Sequence, residues 1–280
     1  MGLVSDVHEN NKVDKAIKEK YPEMIIVSGS GPHPDGDYFD YGWEELKKMN
    51  VEIVDEHYYR SPEWFRQNAT RYDNYDRNGP KVFAGEYAAH PMEVEDGYEE
   101  NNWEAALSEA AFMTGLERNA EVVNLTSYAP LMAHVDAFQW APDMIWFNNL
   151  VSYGTANYWV QKLYGTNSGT DLLTITEGGK PITGQHSLYT SAVKDAKTNE
   201  LIIKAINTGK EKQTIEVTSI GASFKRNGTI TILRNDDLTS TNSFENPQNI
   251  GLKTTSLEIK EGKLEIELLS QSMNVIRVGI

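Results

Sequence analysis

The sequence predicts an α/β region followed by an all-β region. Between residues 11 and 164, short apolar runs alternate with segments of helical period, an order that predicts a parallel sheet with right-handed crossovers. From residue 171 onward the helical period disappears, and short runs of alternating polarity are separated by turns that contain Gly or Asn. That pattern is typical of an antiparallel β-sandwich. We therefore expect one domain over residues 1–168 and a second over residues 169–280.

The elements of the first region have local signals of their own. Ser61 followed by Pro62 predicts an N-cap and a first helical turn, and Asn102 predicts the cap of a long alanine-rich helix. The predicted helices cover residues 11–20, 43–49, 61–77, 103–118 and 156–164, and the predicted strands cover residues 24–28, 51–57, 81–86 and 121–127. In the second region, strands are expected at residues 172–176, 188–194, 201–207, 213–218, 228–233, 257–259, 263–268 and 274–278.

Composition excludes several classes of function. The 280 residues carry a formal net charge of −15, which disfavours nucleic acid and anionic membranes as partners and suits a neutral substrate such as a sugar. Cysteine is absent, and no P-loop, GxGxxG or GxSxG motif occurs. The histidines other than His57 lack metal-ligand spacing, so neither a cofactor nor a metal site is predicted. The first twenty residues do not form a signal peptide. Localisation stays open, and a secreted or periplasmic full-length protein is compatible with these observations.

Residues 81–89 (KVFAGEYAA) predict a short apolar strand with the carboxylate of Glu86 at its C-terminal end. Gly85 removes a side chain just before Glu86 and lets another group approach closely. Barrel enzymes place catalytic groups at the C-terminal ends of buried parallel strands. A glutamate that faces solvent or a surface lysine fits the same position equally well.

His57, Tyr58 and Tyr59 lie at the C-terminal end of the preceding predicted strand, and barrel strands place these ends on the same face as Glu86. A retaining glycosidase needs a carboxylate nucleophile and donors that orient it and the sugar. We assign Glu86 as the candidate catalytic nucleophile and His57, Tyr58 and Tyr59 as candidate substrate-binding residues. Because neighbouring strand residues face opposite sides, at least one of the two tyrosines is expected to pack in the core. A purely structural contact is the other interpretation of His57.

Six segments resemble the glycoside hydrolase family 51 α-L-arabinofuranosidases, in the plant-like branch. They are DEHYYRSPEWF at 55–65, YDNYDR at 72–77, KVFAGEYA at 81–88, SYAPL at 127–131, WAPD at 140–143 and YGTANYWVQ at 153–161. The resemblance is dense from about residue 11 to residue 170 and looser beyond. It implies the C-terminal half of a (β/α)8 barrel followed by a jelly-roll-like β-sandwich.

The resemblance also implies retaining removal of terminal α-L-arabinofuranosyl residues from arabinan- or arabinoxylan-type polysaccharides. Glu86 matches the family nucleophile, and His57 and Tyr59 match positions that line the arabinose site. The family's acid/base glutamate lies in a Gly-Asn-Glu motif, which does not occur in this sequence. We therefore expect the chain to begin after that motif and to be inactive alone, since general acid–base help is worth roughly 10²- to 10⁴-fold.

Two interpretations of function follow from these residues. The first is a nucleophile-bearing portion of an arabinofuranosidase, whose partner is an arabinofuranosyl-containing saccharide and which self-associates or packs with a missing N-terminal half. The second is a non-catalytic carbohydrate-binding or structural module in which the sandwich is the working part. Replacing Glu86 by Gln should alter arabinan binding only under the first interpretation.

Overall fold

Four strands alternate with helices in the first part of the chain. In the computed structural model, residues 3–91, 101–260 and 262–280 are described, with side chains from residue 12 onward. The elements are α1 Leu3–Lys20, β1 Val27–Gly29, α2 Asp37–Lys48, β2 Ile53–Arg60, α3 Pro62–Gln67, β3 Lys81–Ala89, α4 Trp103–Arg118 and β4 Val123–Thr126. The strands lie side by side in the order β1-β2-β3-β4, and both the β1–β2 and the β3–β4 pairs are parallel. The predicted order of strands and helices is confirmed.

Short strands dominate the remainder of the chain. They are β5 Met132–His134, β6 Ile145–Phe147, β7 Ser152–Gly154, β8 Asp171–Leu173, β9 Thr176–Glu177, β10 Lys180–Pro181, β11 Leu188–Asp195, β12 Glu200–Asn207, β13 Gln213–Val217, β14 Asn227–Arg234, β15 Leu252–Glu258, β16 Leu264–Leu268 and β17 Ser272–Gly279. Helix α5, Ala156–Thr166, lies between β7 and β8. Strands β5, β6 and β7 form a small sheet of their own that the sequence patterns did not predict.

The β-rich part contains the predicted antiparallel sheets. Strands β15-β14-β17-β12-β11-β8 form one antiparallel sheet, and β13 pairs antiparallel with β16. Alternate residues of β16 are buried, and they join one apolar cluster with Ile203, Ala205, Ile276 and Val278 of the larger sheet. Two sheets that share a core in this way form a sandwich. Between residue 185 and residue 280, the only helical segment among the described residues is a three-residue 3-10 turn at Gln185–Ser187.

Several helix bounds differ from the prediction, among them the start of α1 at Leu3, eight residues before the predicted start at residue 11. Helix α3 ends at Gln67 rather than near Arg77, because Asn68 caps it through bonds from both its backbone and side-chain nitrogens to the Trp64 carbonyl. Helix α2 begins at Asp37, six residues before the predicted start at 43. The Asn102 cap is confirmed, since its Oδ1 accepts from the backbone N–H of Ala105 at 2.9 Å. No helix of the described residues has the length and apolarity needed to cross a membrane.

The chain divides into two compact units that interleave along the sequence. The parallel-sheet unit comprises residues 1–59, 72–88 and 119–129. The sandwich unit comprises residues 60–71, 89–118 and 130–280, and therefore includes α3, α4 and α5. The domain boundary placed at residue 168 from the change in strand pattern stays a prediction.

Helix α4 is the central helix of the sandwich unit. Phe112 meets Phe65 of α3 edge-on with ring centroids 5.2 Å apart, and Tyr164 of α5 donates a hydrogen bond to the Ala110 carbonyl at 2.8 Å. A Cβ at Gly115 would lie 2.1 Å from the Ala69 carbonyl oxygen, so this close contact requires glycine. On another side of α4, Glu117 forms an ion pair with the buried Lys204 of β12. Such contacts with three elements explain why α4 is buried along almost its whole length.

Glu109 of α4 is a fully buried carboxyl group. Its Oε1 accepts a hydrogen bond from the backbone N–H of Ala89 at 2.7 Å. Removal from water is the largest influence on this group and raises the pKa of Glu109 to about 8. Glu109 is therefore largely protonated at neutral pH in the folded protein.

The stability of the chain is expected to fall as pH rises between about 4.5 and about 8, the ordinary and folded pKa values of Glu109. The folded state keeps the proton over this window while the unfolded state releases it, so this group contributes a slope of up to about 1.4 kcal/mol per pH unit. Glu109→Gln should remove that slope and make the chain more stable than the wild type above the window. Urea unfolding across the range measures it, with the exposed Glu177→Gln as control. An unchanged slope in Glu109→Gln would contradict the assignment.

Candidate active site

One face of β2 carries three polar side chains at alternate positions. Asp55, His57 and Tyr59 are half-buried, whereas the intervening Glu56 and Tyr58 are fully buried. This alternation follows from the two-residue period of a strand. Two of these side chains, His57 and Tyr59, lie beside Glu86 on the adjacent strand β3.

Two of these side chains approach the same carboxylate oxygen of Glu86. The Tyr59 hydroxyl donates to Glu86 Oε2 at 2.8 Å, and His57 Nδ1 lies 3.5 Å from that oxygen. The Glu86 side chain remains 45% exposed, so a solute can reach it. Strand β3 continues to Ala89, three residues beyond the strand end predicted from the sequence.

Neighbouring groups set the protonation states at this site. A hydrogen bond to Asp55 is the largest influence on His57 and raises its pKa above the ordinary value, while burial acts in the opposite direction. Burial, followed by the hydrogen bond to Glu86, raises the pKa of Tyr59. Tyr59 is therefore a neutral donor near pH 7. The raised pKa of His57 increases the fraction of this residue that is protonated at a given pH. Both groups can direct a hydrogen toward the Glu86 carboxylate.

Tyr58 is not part of this site, which corrects its predicted role in substrate binding. It is 0% exposed, and its hydroxyl donates to the buried carboxylate of Glu56 on the other face of β2. The same carboxylate accepts from Trp43 Nε1 at 2.8 Å and from the hydroxyls of Tyr72 and Tyr75 at 2.9 Å each. We call these five residues the Glu56 cluster. The cluster contacts the buried face of β2, and the opposite face of this strand carries His57 and Tyr59.

Sequence reasoning missed Asp55. Its Oδ2 lies 3.0 Å from His57 Nε2, so the imidazole stands between two carboxylates, those of Asp55 and Glu86. The spacing of two residues within one strand was the available signal, because it places Asp55 and His57 on one face. Among the described residues, no group of three or more His, Cys, Asp or Glu side chains could hold a metal ion.

A family model covers most of the chain, including the candidate nucleophile. The alpha-L-arabinofuranosidase C-terminal domain matches residues 85–272. This chain belongs to the family 51 α-L-arabinofuranosidases. The match begins one residue before Glu86 and extends almost to the end of the sandwich unit.

Curated relatives of this family are longer proteins. The extracellular exo-α-L-arabinofuranosidase of Streptomyces chartreusis is 52% identical over 186 residues, which are 65% of this chain and 22% of that protein. Alpha-L-arabinofuranosidase 2 of Arabidopsis thaliana is 33% identical over 285 residues, which cover 95% of this chain and 39% of the relative. The chain therefore spans between about a fifth and two fifths of these family members.

Solved structures of family members share the fold. The arabinose-bound α-L-arabinofuranosidase MgGH51 superposes with a TM-score of 0.86 at 28% identity, over 99% of this chain and 43% of that one. The arabinose complex of the Thermotoga maritima α-L-arabinofuranosidase gives a TM-score of 0.73 at 16% identity, over 100% of this chain and 63% of that one. At that lower identity the similarity establishes the fold alone.

Proposed function

We propose that this arabinofuranosidase-family chain carries the nucleophile of a retaining α-L-arabinofuranosidase. Its substrates would be terminal α-L-arabinofuranosyl residues of arabinan- or arabinoxylan-type polysaccharides. The observation that supports this most directly is Glu86, an accessible carboxylate on a parallel strand that accepts from Tyr59 and lies beside His57. The names of the relatives and the bound arabinose of MgGH51 support this substrate class.

We further propose that the four-stranded sheet is the C-terminal half of a (β/α)8 barrel and that the sandwich is jelly-roll-like. The strand–helix order of the parallel sheet and the superposition on MgGH51 support the barrel assignment. In such a barrel, catalytic side chains gather where the strands end.

The geometry suggests different roles for the two carboxylate oxygens of Glu86. Tyr59 and His57 both contact Oε2, so we assign attack on the anomeric carbon to Oε1. The bond between that carbon and the leaving oxygen breaks, the leaving group keeps the electron pair, and an arabinosyl ester forms on Glu86. A natural sugar leaving group needs a proton at this step, whereas an activated aryl group departs without one.

Incubation with an activated aryl α-L-arabinofuranoside tests the proposed function. We expect the intact mass to increase by one pentosyl group, with the label on the peptide that contains Glu86. The ester should accumulate if no base activates water for its release. Label on another residue would overturn the assignment. Absence of label together with arabinan binding that Glu86→Gln leaves unchanged would favour the non-catalytic carbohydrate-binding module.

The outer strands of the parallel sheet present apolar side chains to solvent. Val27 of β1 is 43% exposed and Leu125 of β4 is 51% exposed. Edge strands of this kind tend to pair with further strands. Self-association, or packing with an N-terminal half-barrel, remains our prediction for these edges. Light scattering over a range of concentrations should detect a species larger than the monomer, and a monomer throughout would contradict self-association.

A further inference from the structure

Asp55 and Glu86 flank the imidazole of His57 from opposite sides. The distances are 3.0 Å from His57 Nε2 to Asp55 Oδ2 and 3.5 Å from His57 Nδ1 to Glu86 Oε2. Only a doubly protonated imidazole carries an N–H at both nitrogens, so the cation fits this arrangement better than either neutral tautomer.

Gly85 makes the position of Asp55 available. A Cβ at Gly85 would lie 2.0 Å from Asp55 Oδ1 and 2.8 Å from Asp55 Cγ, so the Asp55 carboxylate would have to move to admit it. The carboxylate therefore occupies the space that a side chain at position 85, one residue before Glu86, would fill. The sequence indicated that glycine here admits a close neighbour, and the neighbour is Asp55.

One oxygen of this carboxylate, Asp55 Oδ1, is buried and forms no hydrogen bond with the described residues. Leaving such an atom unsatisfied costs stability, so a buried carboxylate in this state calls for an explanation. The other oxygen, Oδ2, faces His57.

We propose that Asp55 is a positioning residue that holds His57 as an imidazolium with its Nδ1–H directed at Glu86. The proposal rests on the proposed function of Glu86 as the nucleophile. Asp55 does not touch the sugar in this role. It fixes the orientation and the charge of His57, and the charged imidazole in turn orients the Glu86 carboxylate.

The surrounding charges are consistent with this assignment. The hydrogen bond that His57 donates to Asp55 is the largest influence that raises the pKa of His57, and the charges of Asp55 and Glu86 add to it. Burial opposes them. On the other side of β2, strand β1 consists of Val27, Ser28 and Gly29 and contributes no titratable side chain. The Tyr59 hydroxyl is neutral, so the two carboxylates are the charges that act on the imidazole.

A histidine titration followed by NMR measures the role of Asp55 directly. The His57 resonance is assigned by its loss in His57→Gln. In Asp55→Asn we expect the His57 pKa to fall by about one unit or more, because the charged neighbour is lost. Gly85→Ala should lower it in the same direction by displacing the carboxylate, and it serves as the test if Asp55→Asn does not fold. Asp40→Asn, an exposed change in the same unit, should leave the His57 pKa unchanged.

The pH profile of adduct formation supplies a second readout. If the imidazolium assists Glu86, the labelling rate should fall as pH rises through the His57 pKa, and Asp55→Asn should move that alkaline limb to lower pH. An unshifted His57 pKa in folded Asp55→Asn or Gly85→Ala overturns the proposal, even if wild-type chain is labelled. A wild-type chain that takes no label, but whose His57 pKa depends on Asp55, instead contradicts the assigned function of Glu86 and leaves the Asp55–His57 pair supported.

Discussion

Replacing Glu86 by Gln is expected to abolish the pentosyl adduct. The amide keeps the size of the side chain and can still accept the hydrogen bond from Tyr59, which donates at 2.8 Å in the wild type. It lacks the anionic oxygen that attacks the anomeric carbon. Loss of a group at the reacting centre lowers rates by at least about 10⁴-fold, so no label should be detected. Intact-mass spectrometry after incubation with the activated aryl arabinofuranoside provides the measurement.

Two further variants calibrate that result. Tyr59→Phe removes one donor to Oε2 and should slow labelling by about 10-fold, because a hydrogen bond to a charged group contributes about 1.5–3 kcal/mol and this one is partly open to solvent. Glu63→Gln changes an exposed carboxylate of α3 and should label at the wild-type rate. An adduct that forms equally fast in Glu86→Gln would show that another residue is the nucleophile.

Replacing Glu56 by Ala is expected to lower the free energy of unfolding by about 3–5 kcal/mol. The carboxylate is 0% exposed and accepts hydrogen bonds from four aromatic side chains of the Glu56 cluster. Alanine would remove the acceptor shared by the Trp43 indole N–H and three tyrosine hydroxyls, of which those of Tyr58 and Tyr72 are on fully buried side chains, and would leave a cavity there. Urea unfolding followed by tryptophan fluorescence measures the loss, since Trp43 belongs to the cluster.

Glu56→Gln separates the hydrogen bonds from the cavity. It restores one acceptor oxygen and most of the volume, so the expected loss is smaller, about 1–2 kcal/mol. Glu44→Ala removes an exposed carboxylate that pairs with Lys48 in the same unit and should change stability by less than about 0.5 kcal/mol. A loss for Glu56→Ala as small as that of Glu44→Ala would mean that the cluster does not stabilise β2.

The sequence predicted the local pattern around the candidate site with some success. Apolar runs and capping residues indicated where β2, β3 and α4 lie, because these signals depend on residues close together in the chain. The same local reasoning placed His57, Tyr58 and Tyr59 near Glu86 and indicated that Gly85 lets another group approach closely. It could not choose between Tyr58 and Tyr59, because the choice depends on which side of the sheet carries the Glu86 side chain.

By itself, then, the sequence determined an α/β region followed by a β-sandwich, the strand that carries Glu86, and the alternation that gives β2 two different faces. Tertiary structure alone decided that Tyr58 belongs to the Glu56 cluster, that Asp55 fills the space above Gly85, and that α4 belongs with the sandwich. The physical reason is range. A strand's two-residue period is set by its own backbone, whereas the neighbour of a side chain depends on the register between segments such as β2 and β3, which are separated by a helix and a long turn.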